Sequence, residues 1–236
     1  MRRVLRALEA PLLVVVPLGL IICARYQVDQ SALLTVLVAL VAVAVLFAGY
    51  ETSRPSLRQI VPTVVMAALA AAGRILFAPI PDFKPVTAIC IIAGAVFGRR
   101  EGFMTGALAA LASNFFFGQG LWTPWQMYAM GIIGFLAGLI LRSERSRRPL
   151  TLAAFGAFSA IVIYGGIMNP VTALIWGGEA LNGGIILTYY ATGFPMDVIH
   201  AAASALFLGA LSTPMLEKFE RLKTKYNVLN SVERSN

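Results

Sequence analysis

Residues 85–117 read Pro85-Val-Thr-Ala-Ile-Cys90-Ile-Ile-Ala-Gly94-Ala-Val-Phe97, then Gly98-Arg99-Arg100-Glu101-Gly102, then Phe103-Met-Thr-Gly106-Ala-Leu-Ala-Ala-Leu-Ala-Ser-Asn114-Phe-Phe-Phe117. Two apolar runs are parted only by a five-residue break that carries three charges. The surroundings are equally apolar: the chain is 58 % hydrophobic and 13 % charged, whereas about 25 % charged residues is usual in a soluble domain. The solvent is therefore lipid. Inside a bilayer every backbone polar group needs an internal partner, so runs of this kind are helices. Both runs are short for a crossing, and their arrangement requires a tight turn and a thinned or protein-covered bilayer.

Outward from this pair, apolar segments fall at roughly 10–25, 32–49, 60–78, 85–98, 102–117, 126–141, 150–176 and 192–213. The sequence thus predicts an all-α polytopic membrane protein of about eight transmembrane helices. An even count puts both termini on one side, and the distribution of basic residues tests that arrangement loop by loop. Arg2, Arg3, Arg6, Arg54, Arg58, Arg99, Arg100, Arg142, Arg145, Arg147, Arg148, Lys218, Arg221, Lys223, Lys225 and Arg234 lie on the side thereby assigned to the cytoplasm. Only Arg25 and Lys84 lie on the other side, and Arg74 alone falls within a span. The net charge of +8 is then a topology signal, with no nucleic-acid partner implied.

Cys23 and Cys90 both sit in apolar runs without metal-ligand spacing and read as packing residues. Arg2, Arg3 and Arg6 precede an apolar run as in a secretory signal, but Ile22-Cys23-Ala24-Arg25-Tyr26 is a poor cleavage site, so the run is expected to remain as the first helix. No GxxxxGK[ST] loop occurs, so any use of ATP falls to a separate polypeptide.

Charged and amide groups cost about 2.5 to 3.5 kcal/mol each at the centre of a span, which makes their positions informative. At about 1.5 Å per residue, Arg74 lies roughly 6 Å, Asp197 roughly 8 Å and His200 roughly 12 Å from the outer end of their segments. Asn114 and Asn169 also fall in outer halves, while the inner halves hold only Ser and Thr. A cavity open to the outside would produce this asymmetry. Structural pairing, of Arg74 with Asp197 or of Asp197 with His200 one turn apart, would account for the same residues.

The connection between the fifth and sixth segments, Asn114-Phe-Phe-Phe-Gly-Gln-Gly-Leu-Trp-Thr-Pro-Trp-Gln-Met-Tyr128, has no charge. Its Trp122, Trp125 and three phenylalanines fit an aromatic belt. The interleaved Gly118, Gln119, Gly120 and Pro124 fit instead a folded loop covering something flat. Trp176, Tyr189 and Tyr190 mark the last outer loop in the same way. Small residues four apart, Ala67 and Ala71, Ala68 and Ala72, Gly94 and Gly98, Gly102 and Gly106, Gly134 and Gly138, predict close helix packing.

Val64-Val-Met-Ala-Ala-Leu-Ala-Ala-Ala-Gly-Arg74, Phe83-Lys-Pro-Val86, Gly94-Ala-Val-Phe-Gly98 and Asn114 to Met127 together resemble the S components of energy-coupling factor (ECF) vitamin transporters. The stretch from Asn114 to Met127 looks closest to the cobalamin-specific, CbrT-type branch. The resemblance implies a substrate-binding subunit of a bacterial cell membrane that captures its vitamin outside. It then docks on a shared transmembrane coupling subunit driven by two ATPase subunits. It also implies a six-helix core over 60–213, preceded by a two-helix extension over 1–59 that the usual pattern lacks and followed by a cytoplasmic tail over 214–236.

The family's alanine motif for docking on the coupling subunit maps onto Ala67 and Ala71 or onto Ala68 and Ala72. Cobalamin enters as the transported substrate, with no permanently bound cofactor. Aromatics such as Trp122, Trp125, Trp176, Tyr189 and Tyr190 would cover its ring. Asn114, Gln119, Gln126 and Asn169 would meet its amides, Arg74 its phosphate, and Asp197 and His200 would complete the site. Other S-component substrates, such as a queuosine precursor or a flavin, are the nearest alternatives. An intramembrane enzyme using Asp197 and His200 as an acid–base pair lacks a nucleophile or metal cluster. A self-contained secondary transporter would need an inverted repeat and more buried ionisable groups than are present.

Overall fold

The computed structural model describes residues 31–53, 55–177 and 182–226, together with 11, 15, 16, 18 and 19. The first expected span, 10–25, lies outside the described residues apart from those five, as does the tail beyond 226. Every regular element among the described residues is helical. The order is α1 (Ser31–Thr52), α2 (Leu57–Leu76), α3 (Val86–Phe97), α4 (Arg99–Phe117), α5 (Thr123–Ile140), a 3-10 turn (Arg145–Arg147), α6 (Pro149–Phe158), a π-helical stretch (Ser159–Gly165), α7 (Gly166–Trp176) and α8 (Gly183–Tyr226).

Helix α3 is the centre of the bundle. All twelve of its residues are buried, and α2, α4, α5 and α8 surround it. At about 1.5 Å per residue it is roughly 18 Å long, too short for a hydrocarbon core of about 30 Å. A single residue, Gly98, links it to α4 at φ 115°, a left-handed backbone open to glycine and strained for other residues. The charged break in the sequence is therefore the start of α4 and not a loop.

Glycine also sets how closely α3, α4 and α5 approach. A Cβ on Gly102 would stand 2.6 Å from the Gly94 Cα and 2.7 Å from the Gly134 carbonyl carbon, and one on Gly134 would stand 2.5 Å from the Gly102 carbonyl carbon. These neighbours are backbone, so no rotamer change relieves the clash. Helix α1 packs on the α4–α5 face. It buries Val36, Ala39, Ala42, Val43, Leu46 and Tyr50 there, with Phe47 edge-on to Phe103 at 6.4 Å.

Four helices are long and apolar enough to cross a membrane: Leu57–Leu76, Thr123–Ile140, Pro149–Trp176 and Gly183–Leu222. Helix α1 is apolar over Val36–Thr52, and Val86–Phe97 is a shorter apolar helix. The chain is a polytopic, all-helical membrane protein, but by length and composition the described residues supply four of the eight crossings expected from sequence. The shortfall lies partly in α3, which is housed in protein, and in α4, whose first turn carries Arg99, Arg100 and Glu101. The last helix begins at Gly183, nine residues before the apolar run that marked it. The depths reckoned for Asp197 and His200 from residue 192 accordingly do not hold.

Candidate functional site

At one end of the bundle α2 and α4 finish while α3 and α5 begin, and a polar seam runs between them. Arg74, in the last turn of α2, donates from one guanidinium nitrogen, Nη1, to Ser113 Oγ at 2.6 Å and to Asn114 Oδ1 at 2.7 Å. Asn114 Nδ2 donates to Thr123 Oγ1 at 3.2 Å and Gln126 Oε1 at 2.8 Å. Gln126 Nε2 donates in turn to the Tyr164 hydroxyl at 3.3 Å. The Tyr164 ring meets His200 edge-on at 4.9 Å, and His200 Nε2 lies 2.7 Å from Thr87 Oγ1. One connected chain thus joins α2, α4, α5, the π-helical stretch, α8 and α3.

Asn114 holds the seam together. It is 1 % exposed, and both amide hydrogens and its carbonyl oxygen are committed within the protein. Its role is to orient Arg74 and Gln126. The π-helical stretch, a form frequent at functional sites, places the Tyr164 hydroxyl against Gln126.

A second polar group sits between α7 and α8. Asn169 Nδ2 donates to Asp197 Oδ2 at 2.7 Å, and the Tyr190 hydroxyl donates to the Gly166 carbonyl at 2.8 Å. A Cβ on Gly165 would come within 2.6 Å of the Asp197 carboxylate, so the glycine makes room for that side chain. Neither pairing that the sequence left open is formed: Arg74 bonds to neutral acceptors, Asp197 to Asn169, and His200 to Thr87.

The structure separates the remaining sequence-predicted residues. Trp125 is 1 % exposed and packs edge-on to Tyr128 at 6.4 Å, so its ring belongs to the core. Trp122 is half-buried, its ring lying over Gly120. Trp176 is 66 % exposed at the end of α7. Gln119 is exposed and donates to the Leu111 carbonyl at 3.1 Å, and Tyr189 is half-buried against the core. Ser113, Thr123, Thr87 and Tyr164 enter the site without having been singled out from sequence. Tyr164, a hydroxyl beside a Gly-Gly pair within an apolar run, was the one findable signal.

Just beyond the seam the loop between α2 and α3 carries Asp82, at φ 51°, and Lys84. Burial pushes the Asp82 carboxyl up, while Lys84 and, less strongly, Arg74 pull it down. Burial likewise lowers the Lys84 ammonium, against the pull of Asp82. On α2 itself, Ala67 and Ala71 are 5 % and 6 % exposed, whereas Ala68 and Ala72 face outward with Val61, Val64, Val65 and Leu69.

The family model described as "ECF-type riboflavin transporter, S component" matches residues 54–217. This chain belongs to that family. A UPF0397 protein of Vibrio atlanticus (strain LGP32) is 26 % identical over 122 residues, covering 48 % of this chain and 66 % of the relative. No solved structure matches. Membership makes the chain an ECF-type S component. The matched region contains every residue of the seam and begins after α1.

Proposed function

We propose that this S component captures its vitamin at the Arg74 end of the bundle, which faces outward, with the arginine-rich opposite end and both termini in the cytoplasm. The observation that carries the reading is the seam itself. A fully committed Asn114 holds Arg74 and Gln126, Gln126 in turn donates to Tyr164, and polar groups within a membrane bundle are kept there for function. Cobalamin is the first substrate, on the resemblance of Asn114 to Met127. Riboflavin is the second, favoured by the description of the matched family.

Docking on the coupling subunit uses Ala68 and Ala72, since these are the alanines of α2 that face away from the bundle. Two ATPase subunits supply the energy. Ala68→Leu should fold and bind vitamin normally but lose uptake in cells, whereas Ala67→Leu should lower stability by about 1–3 kcal/mol through overpacking.

Purified protein titrated with cobalamin and, separately, with riboflavin tests the substrate by calorimetry. One of them should bind at about one per chain, and Trp122→Ala or Gln126→Ala should weaken it at least about tenfold, roughly 1.4 kcal/mol. If neither vitamin binds, the substrate assignment is discarded.

A further inference from the structure

Arg74 and Lys84 approach the same ring. The Arg74 guanidinium carbon lies 4.7 Å from the Phe117 centroid and the Lys84 ammonium 5.8 Å. Both side chains are half-buried, and Ser113 and Asn114, buried beneath them, fix Arg74 through Nη1 alone. The Nη2 and Nε edge of the guanidinium, with three further donors, is not used by those bonds. Lys84 Nζ makes one long bond, to the Ile80 carbonyl at 3.4 Å.

Neither cation has a carboxylate within ion-pair distance among the described residues. Ion pairs such as Arg147 to Glu220 and Arg221 to Glu217 lie at the other end of the bundle. The Asp82 carboxylate shares the field of both cations from beyond ion-pair distance, while its backbone carbonyl accepts from the Lys84 N–H at 3.1 Å. Helix ends do not supply the missing charge. Two C-termini (α2, α4) and two N-termini (α3, α5) meet here, and their partial charges offset one another. Two cations against one carboxylate, in a partly desolvated site lined on one side by Phe117, leave a place for one negative group.

We infer that Arg74, Lys84 and the Phe117 ring form an anion subsite that takes a phosphate or phosphodiester oxygen of the transported molecule. The inference rests on the vitamin-binding reading and narrows it. Riboflavin has no phosphate, whereas cobalamin carries one in its nucleotide tail, and the guanidinium edge matches two phosphate oxygens as an ammonium alone does not. A phospholipid headgroup offers the same chemistry, so the test separates the two sources.

The protein is placed in nanodiscs of phosphatidylcholine alone. Its thermal midpoint is read against inorganic phosphate at constant ionic strength, and its affinity is compared for cobalamin against cobinamide, which lacks the nucleotide tail, and for FMN against riboflavin. Inorganic phosphate is expected to raise the midpoint. The phosphate-bearing member of whichever pair binds is expected to bind at least tenfold more tightly, and Lys84→Gln is expected to reduce both effects. Arg74→Gln is expected to abolish them; Lys84→Gln, which leaves the seam intact, keeps the test valid if Arg74→Gln fails to fold.

No phosphate stabilisation, together with equal affinities within the pair, overturns the subsite while leaving the vitamin reading in place. Phosphate stabilisation lost in Lys84→Gln, with no vitamin bound, upholds the subsite and sinks the vitamin reading. Stabilisation by phosphatidylglycerol nanodiscs but not by free phosphate overturns the inference in favour of a lipid site.

Discussion

Helices α3, α4 and α5 and the pair α7–α8 solve the problem of packing in lipid in opposite ways. The first three meet backbone to backbone at Gly94, Gly102 and Gly134, with nothing adjustable at those points. The second two meet through side chains: Asn169 on Asp197, Tyr190 on a backbone carbonyl, and Pro170 and Pro195 within the helices. Much of the first half of α8 is exposed, Leu187, Phe194, Met196 and Val198 among them. The contrast teaches where rigidity is concentrated. The seam is anchored on the close-packed trio through Asn114 and Gln126, and it reaches the looser pair only through Tyr164 and His200.

The strongest way to break this contrast is to add carbon to the trio. Gly134→Leu should yield no folded protein, and Gly134→Ala should cost about 3 kcal/mol or more, since overpacking against backbone cannot relax. Size-exclusion profiles and thermal unfolding measure both. An alanine variant melting with wild type would show that the helices are free to separate.

Next in size is Asn114→Leu, which keeps the branched outline of the side chain but strands Arg74 and Gln126. Unpartnered buried polar groups cost about 1–3 kcal/mol each, more for a charge. Stability should fall by about 3 kcal/mol and vitamin affinity by more than about a hundredfold, as about 2.8 kcal/mol would give. Intact binding would place the ligand elsewhere.

Gly165→Ala tests the looser pair. The three atoms nearest its new methyl all belong to the movable Asp197 carboxylate, so the expected loss is about 1 kcal/mol, the worth of one hydrogen bond. Least of all, Gly209→Ala meets nothing within 4 Å and should stabilise α8 by about 0.5–1 kcal/mol. A large loss there would mean that α8 is less freely placed than its surroundings show.

Much of the trio was legible in sequence because glycine spacing is a local signal: Gly94, Gly102 and Gly134 each stand four residues from another glycine. The seam was half legible. Polarity within apolar runs marked Arg74, Asn114, Asn169, Asp197 and His200, but their partners lie far along the chain. Ser113 and Asn114 are 39 and 40 residues from Arg74, so pairing by charge or by helical turn pointed to Asp197 and His200 instead. Trp125 shows a different limit. Composition places a tryptophan near an interface without saying whether its ring turns inward, and here α5 turns it into the core. The alanine registers on α2 were equivalent by spacing and became distinct only when α3 and α4 covered one of them.

The brevity of α3 bears on how the chain enters its membrane. Twelve residues fall below the about 17 that a lone segment needs to stay across a bilayer, and Gly98 leaves no tether between α3 and α4. During synthesis α3 therefore emerges before the helices whose backbones house it, and it gains a settled position only when α4 and α5 have followed. A chain halted soon after Gly98 would hold an apolar segment without the α4 and α5 backbones it packs against.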